Sequence, residues 1–494
     1  SVERAVASKK CDYSRTFSSH PEVLSLAREM SSPGLIGQLA GAVGATEPAL
    51  RLLISVVLGY PLSLFYRNFI WPLPELQQHI FMIISGMTIC LFNYGSDVYH
   101  SILAILATYI LIKVLGPTKK LMIASFAFHM THLLFGYIMT GTDNYDIVWT
   151  MPHCVLVLRL IGLTFDICDT FGSHKKGDEP KEMDVYGIKK MPNLLQISSY
   201  TYFPGSFLAG PQFPYHQYER FLGKEFEKYQ GFVDAGLKRF GLGFMYLAIF
   251  QILNIFASDT YLLSEDYASA GYFKRLIFLG IWGRLTLYKY MSVWLLSEGV
   301  CTRFGLTFRN VKEGKEDWSA GENVKIWRLE QANRFTHYIE SFNVATNHWV
   351  ARHIYKRLKF LGSREISQAS TLFFLAIWHG FHSGYYASFA MEFIVVFIER
   401  DFDSIVKGNE KLRRLLEHPH LQPVYFVLLK FYAIVGMGWC LVPFAFLSFS
   451  KYWAIFRAVH FLGYVYALAY IGIHFILKAL FPRDKTRAVP EKSQ

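Results

Sequence analysis

Apolar runs about as long as a bilayer is thick recur along most of the chain. They fall at about 52–70, 79–94, 98–115, 121–140 and 147–167, and then near 237–257, 273–299, 368–378, 380–398, 423–449 and 453–481. About 20 apolar residues at roughly 1.5 Å rise cross a hydrocarbon core of about 30 Å. The pattern therefore predicts an all-α, polytopic membrane protein of about eleven transmembrane helices. Leu121–Thr142 contains no charged residue. Residues 191–215 are apolar and aromatic but broken by Pro and Gly, which suits a re-entrant or interfacial piece.

Polar stretches divide these runs into an N-terminal segment (1–50), a multi-pass transmembrane domain (51–481) and a C-terminal tail (482–494). The first segment lacks a basic region followed by an apolar one, so no cleavable signal peptide is expected. Leu35–Leu53 is expected to lie on the membrane surface as an amphipathic helix. Residues 169–190, with Lys175, Lys176, Asp178, Glu179, Lys181 and Glu182, read as a solvated loop. The connection 301–366 carries twelve Lys/Arg against seven Asp/Glu, which places much of it on the cytosolic side. Its Trp318, Trp327, Phe335, Phe342 and Trp349 suggest that parts lie on the membrane or dip into it. No internal repeat supports an inverted-repeat transporter.

Composition agrees with the patterning. Of 494 residues 52% are hydrophobic and only 18% charged, with mean hydropathy +0.23, more apolar surface than a water-soluble fold can hide. The six Cys show no CxxC spacing, and Cys90, Cys154, Cys168 and Cys440 lie in or beside apolar runs, as reduced buried thiols do. A net charge of +12 without any nucleic-acid-binding motif points to cytosolic loops and lipid headgroups, so nucleic acid is not expected as a partner.

An ionisable residue inside a span is costly unless it is satisfied, and so marks a candidate site. The sharpest case is Trp378-His379-Gly380-Phe381-His382-Ser383-Gly384-Tyr385. His379 and His382, three apart, are expected on one helix face, and Gly380 and Gly384 permit close approach of a helix or substrate. The bland alternative is a pair of histidines bonded to other helices. His129/His132 and His379/His382 both show HxxH spacing, but no two histidines are adjacent and HExxH is absent, so no metal is expected. There is no GxSxG elbow and no GxxxxGK[ST] loop. HxxxxD is missing too: the residue five after His174 is Glu179, and five after His348 is His353. A second polar patch, Asn343 to His348, is either loop polarity or an amide that orients a substrate beside the histidine.

Together these features resemble the membrane-bound O-acyltransferase (MBOAT) family. The resemblance rests on Trp378-His379-Gly380 with Gly384-Tyr385 inside an apolar run, on Asn343 before it, on the span count and on the long basic connection. Within the family the chain is similar to the lysophospholipid acyltransferase branch. The carrying segments are Asn144-Tyr145-Asp146-Ile147, Trp149-Thr150-Met151-Pro152-His153-Cys154, Tyr202-Phe203, Gly210-Pro211-Gln212-Phe213, Leu263-Ser264-Glu265-Asp266-Tyr267, Ser341-Phe342-Asn343 and Trp349-Val350-Ala351-Arg352.

The resemblance implies an MBOAT-type fold in the endoplasmic reticulum membrane. It also implies transfer of a fatty acyl group, often polyunsaturated, from acyl-CoA to the sn-2 hydroxyl of lysophosphatidylcholine. Ethanolamine and serine lysophospholipids are further implied acceptors, and no cofactor is implied. His379 matches the family's catalytic histidine and Asn343 its paired polar residue. Trp378, His382 and Tyr385 are then expected to line the substrate. Arg352, Lys356, Arg357 and Lys359 either attract the polyanionic CoA or are ordinary cytosolic-side charges. The oligomeric state, homo-oligomer included, stays open. The chain ends Glu491-Lys492-Ser493-Gln494 and lacks the second lysine of a dilysine retrieval signal. Two other readings stand beside this one: an MBOAT enzyme acylating a sterol, diacylglycerol or protein, and a lipid transporter or scrambler lined by the same polar residues.

Overall fold

A computed structural model describes residues 34–144, 146–173 and 186–484. The segment before Gly34, most of the loop at 169–190 and the tail beyond Asp484 lie outside the described residues. So do the expectations about a signal peptide, that loop's solvation and a retrieval signal. The described residues up to Leu52 form one compact unit and those from Leu53 onward another.

Ten of the eleven apolar runs each fall on one helix of 16 or more residues, and the eleventh, 453–481, divides into a short helix, Phe449–Ala458, and a longer one. In chain order the long helices are α1 (Glu47–Phe65), α2 (Glu75–Tyr94), α3 (Val98–Leu115), α4 (Lys119–Thr140), α5 (Thr150–Phe171), α6 (Phe232–Asn254), α7 (Tyr272–Phe304), α8 (Arg364–His379), α9 (Ser383–Gly408), α10 (Gln422–Phe446) and α11 (Leu462–Leu480). Among the described residues, six segments are long and apolar enough to cross a membrane. These are α1 with the turn after it, α2–α3 as one unit, α4, α6, α10 and α11. The other long helices carry more charge or are shorter. Arg159, Asp166 and Asp169 interrupt α5; Arg284, Lys289 and Glu298 interrupt α7; Glu392, Glu399 and Arg400 interrupt α9; α8 has only 16 residues.

The outward faces of the spanning helices are apolar. Ile84, Ile110, Ile123, Leu468 and Phe475 are all exposed, an arrangement that suits lipid rather than water. Because lipid tails are as apolar as leucine, close packing and buried polar contacts must hold the bundle together. At the α7–α10 crossing Gly283 faces Gly438, where an added Cβ on Gly283 would come 2.3 Å from the Gly438 Cα. Only glycine lets those two backbones touch.

Two other regions frame the site. The 191–215 segment forms a short helix, Leu194–Thr201, followed by irregular backbone that is almost wholly buried. Arg159 of α5 explains why such backbone is tolerated. Its guanidinium donates to the carbonyls of Tyr200, Thr201 and Ser206 and to the Ser206 hydroxyl at 2.9–3.3 Å. The 301–366 connection is no single loop. It completes α7, turns through the hairpin β1 (Asn310–Lys312) and β2 (Lys315–Asp317), and continues as short helices at Ile326–Glu330, Phe335–Ser341 and Val344–Val350. Much of it is buried, as Val324, Leu329, Phe335 and Trp349 show, although Trp327 is 80% exposed.

Candidate active site

His379 is the last residue of α8. Gly380 follows at φ +126°, a backbone conformation that strains any residue with a Cβ, and it ends the helix. The run 368–398 is therefore two helices joined by a sharp turn. This corrects the expectation that His379 and His382 share a helix face: His382 lies beyond the break as the residue before α9, with its ring centroid 6.1 Å from that of Tyr385.

The residues beside His379 fix its position. The Trp378 indole N–H donates to the Cys154 carbonyl of α5 at 3.0 Å, and the Tyr137 hydroxyl of α4 donates to the Trp378 carbonyl at 3.0 Å. Trp378 also belongs to an apolar cluster with Leu133, Val157, Ile161 and Trp349. On the other side the Gly384 N–H donates to the Leu447 carbonyl at 3.0 Å. An added Cβ on Gly384 would lie 2.0 Å from the Pro443 carbonyl oxygen of α10. Gly380 thus makes the turn, and Gly384 seats α9 on α10.

The half-buried imidazole of His379 sits in an aromatic enclosure. Ring centroids lie at 4.5 Å (Trp378), 5.3 Å (Tyr385), 5.5 Å (Phe389) and 4.9 Å (Phe444). Tyr385 itself is buried and packs on Phe444. Among the described residues, none donates to or accepts from either ring nitrogen. A histidine that merely satisfied the core would have a partner. His129 does, bonded to Thr108 at 2.9 Å, and so does His132, bonded to His100 at 3.0 Å. Neither HxxH pair comes together as a metal cluster among the described residues.

Asn343 adopts the left-handed conformation (φ 52°, ψ 42°) at the start of the Val344–Val350 helix, a geometry asparagine tolerates better than most residues. A buried polar scaffold holds it there. The carboxylate of Glu298 on α7 accepts from the Asn323 and Val324 N–H groups at 2.8 and 3.0 Å. Asn323 in turn accepts from the N–H of Val344 through its carbonyl and of Ala345 through its side chain. Arg239 of α6 completes the set, with Glu298 at 3.4 Å and Glu322 at 2.7 Å. Of the two asparagines in the patch, Asn347 donates its amide to the Ile339 and Phe342 carbonyls at 2.9 and 3.0 Å. The Asn343 side chain has no such bond among the described residues. No hydrogen bond links Asn343 to His379.

The basic cluster is answered from within. Arg352 pairs with Asp166 at 2.6 Å and lies 3.8 Å over the Tyr186 ring, while Arg357 pairs with Asp169 at 2.5 Å. These two guanidiniums fasten the 351–357 backbone to α5, while Lys356 is exposed. Between them, burial and then the nearby Arg352 and Arg357 push His353 well below the ordinary imidazole range. His353 is therefore neutral at physiological pH, and its 3.8 Å approach to Asp166 is not an ion pair.

The features that position the site are mostly ones the linear pattern hides: Tyr137, Cys154, Phe389 and Phe444 around His379, and Arg239 and Asn323 behind Asn343. Glu298 is the exception. A carboxylate within the 273–299 run is itself a signal that something polar is being held.

The profile of the membrane-bound O-acyltransferase family matches residues 134–442, which include Asn343 and His379. The chain is 40% identical over 475 residues to Lysophospholipid acyltransferase 5 of Drosophila melanogaster, covering 93% of each chain. It is 40% identical over 456 residues to the Homo sapiens protein of the same name, covering 91% of this chain and 93% of the relative. For the Caenorhabditis elegans protein of that name the identity is 31% over 470 residues, covering 93% and 98%.

Proposed function

This chain belongs to the membrane-bound O-acyltransferase family, and from that membership we propose that it is a lysophospholipid O-acyltransferase of the endoplasmic reticulum membrane. It moves a fatty acyl group, preferentially polyunsaturated, from acyl-CoA to the sn-2 hydroxyl of lysophosphatidylcholine. Ethanolamine and serine lysophospholipids serve as further acceptors. The observation that carries this reading is the His379 imidazole, whose ring nitrogens have no hydrogen-bond partner among the described residues, in an enclosure that is otherwise aromatic.

A glycerol hydroxyl is a weak nucleophile at neutral pH, whereas a thioester is an activated acyl donor. The missing element is removal of the hydroxyl proton as the oxygen attacks. His379 takes that proton as general base, a contribution of about 10²–10⁴-fold. The tetrahedral intermediate then collapses, the C–S bond breaks and the proton passes to the departing CoA sulfur. CoA leaves as the thiol and the imidazole is returned neutral, so no acyl-enzyme and no cofactor are required. The Asn343 amide can hold the hydroxyl or donate to the developing oxyanion. The aromatic rings exclude water, which would otherwise compete for the thioester.

The lipid setting follows from the substrates, since each methylene kept out of water contributes about 0.8 kcal/mol. On the cytosolic side the exposed Lys359 is the cation of the 352–359 cluster best placed to meet the CoA phosphates. Arg352 and Arg357 already face carboxylates.

The test is product formation by the purified protein from arachidonoyl-CoA with a panel of acceptors. Phosphatidylcholine formed from lysophosphatidylcholine supports the reading. Transfer only to a sterol, diacylglycerol or peptide would replace it with another acyl acceptor. Lipid movement between leaflets without acyl-CoA consumption would replace it with a scrambler.

A further inference from the structure

Three cations without an ion-pair partner gather where α1 ends. Arg67 lies in the turn Tyr66–Ile70 that follows α1, Lys224 lies just after the short helix Tyr215–Leu222, and Arg303 is the last residue but one of α7. A shared set of rings brings them together. The Arg67 guanidinium sits over Trp71, Phe232 and Phe226, at 4.4, 4.7 and 5.2 Å from the ring centroids. Lys224 lies over the same Trp71 ring at 5.0 Å, and Arg303 over the same Phe232 ring at 5.9 Å. The Arg303 stem runs along α6, where an added Cβ on Gly236 would come 2.6 Å from its Cγ. Arg67 and Arg303 are close enough for their charges to oppose each other.

Among the described residues, nothing answers these charges directly. One terminal nitrogen, Nη1, of Arg67 and of Arg303 is buried without a hydrogen-bond partner, and none of the three cations closes to an ion pair. All three side chains are half-buried, so they stay within reach of the surface. Nearby carboxylates are engaged or held off. Glu316 accepts from the Gly231 N–H at 2.8 Å and the Trp318 indole N–H at 2.9 Å, and the exposed Glu227 acts on Arg67 only at longer range. A ring face attracts a cation but is a poor acceptor for the in-plane fork of guanidinium N–H donors. The rings therefore hold the cations in place and leave their donor edges to a group that can accept several hydrogen bonds at once. A phosphate is such a group.

Location narrows the source of the phosphate. α1 with the turn after it is apolar and long enough to cross a membrane, and Arg67 stands near the end of that segment. Phe65 and Phe69, two residues to either side of Arg67, are exposed as lipid-facing side chains are. Arg303 stands at the end of α7 that leads into the basic connection 301–366. Cations at such a depth meet lipid headgroups, and several together favour a net negative headgroup over a zwitterionic one.

We infer that Arg67, Lys224 and Arg303 form an interfacial site for the phosphate of an anionic phospholipid, which joins the end of α1 to the start of α6 and the end of α7. The inference stands apart from the acyl-transfer reading, since this lipid is neither donor nor acceptor and a chain without transferase activity would still bind it.

The test uses the full purified chain in detergent: wild type, Lys224→Gln, and the double variant Arg67→Gln/Arg303→Gln. Thermal unfolding is followed with dioleoylphosphatidic acid or dioleoylphosphatidylcholine at equal fractions of the micelle. Wild type is expected to unfold about 2 °C or more higher with the anionic lipid. The double variant should lose that difference and keep its stabilisation by arachidonoyl-CoA, and Lys224→Gln should roughly halve the difference. Native mass spectrometry should show a phosphatidic acid retained on wild type and lost from the double variant.

Equal stabilisation of wild type by the two lipids would overturn the inference, as would a double variant that keeps the wild-type difference. If the double variant does not fold, Lys224→Gln decides, and an undiminished difference there would overturn it. Inorganic phosphate and unacylated CoA, each added without lipid, form the remaining arms. A matching rise from either that the double variant loses would assign the site to a soluble phosphate and overturn the lipid.

Discussion

Glu298→Ala tests whether the scaffold behind Asn343 matters to the chemistry. The carboxylate accepts from two buried backbone N–H groups, of Asn323 and Val324, at 2.8 and 3.0 Å, and also faces Arg239. Removing it leaves both donors unanswered, at about 1–3 kcal/mol each. Arg239 keeps Glu322 at 2.7 Å, so the penalty for an unpaired buried charge stays small. The expected loss of stability is about 3–5 kcal/mol. Asn323 carries the hydrogen bonds that place Val344 and Ala345, so the same change displaces Asn343. A misplacement of about 1 Å costs on the order of 10²-fold in rate. Glu298→Gln keeps one acceptor and should lose only about 1–2 kcal/mol, with a correspondingly smaller drop in kcat. The assay is thermal unfolding in detergent beside acyl transfer at saturating substrates. If Glu298→Ala unfolds at the wild-type temperature and turns over at the wild-type rate, the scaffold does not hold the site.

Other positions give independent checks. Gly384→Ala places a Cβ against the Pro443 carbonyl and should cost at least about 1–3 kcal/mol, read as a lower unfolding temperature. Arg352→Ala and Asp166→Ala each strand a largely buried charge and should destabilise strongly, while the double variant should be more stable than either single one; additive losses would contradict the pairing. Asn343→Ala should lower kcat by about 10²–10³-fold with the unfolding temperature held, if its amide serves the oxyanion; an unchanged rate removes it from the mechanism.

The linear pattern reveals much of the helical architecture because a span must be apolar over most of its length; ten of the eleven runs are single helices, and 453–481 is two, broken where His460 and Phe461 take positive φ. It does not explain the charges that α5, α7 and α9 carry, which only their partners in the fold account for. Asp166 and Asp169 lie 186 and 188 residues from Arg352 and Arg357, and no local spacing links them. The break after His379 was also hidden, since a glycine within an apolar run is equally at home inside a helix, and only its positive φ shows that the helix ends there. Asn343 and Asn347 look alike in the chain. What separates them is whether a carbonyl stands in reach, which belongs to the folded state. His379 stood out for the opposite reason, as a titratable group in an apolar run, and the fold adds that its ring has no hydrogen-bond partner among the described residues.

The most direct measurement compares wild type with His379→Ala in acyl transfer from arachidonoyl-CoA to lysophosphatidylcholine, with thermal unfolding and acyl-CoA binding followed on the same preparations. The account predicts phosphatidylcholine from wild type only, with folding and acyl-CoA binding retained in the variant. Turnover by a folded His379→Ala protein within a few-fold of wild type would contradict it.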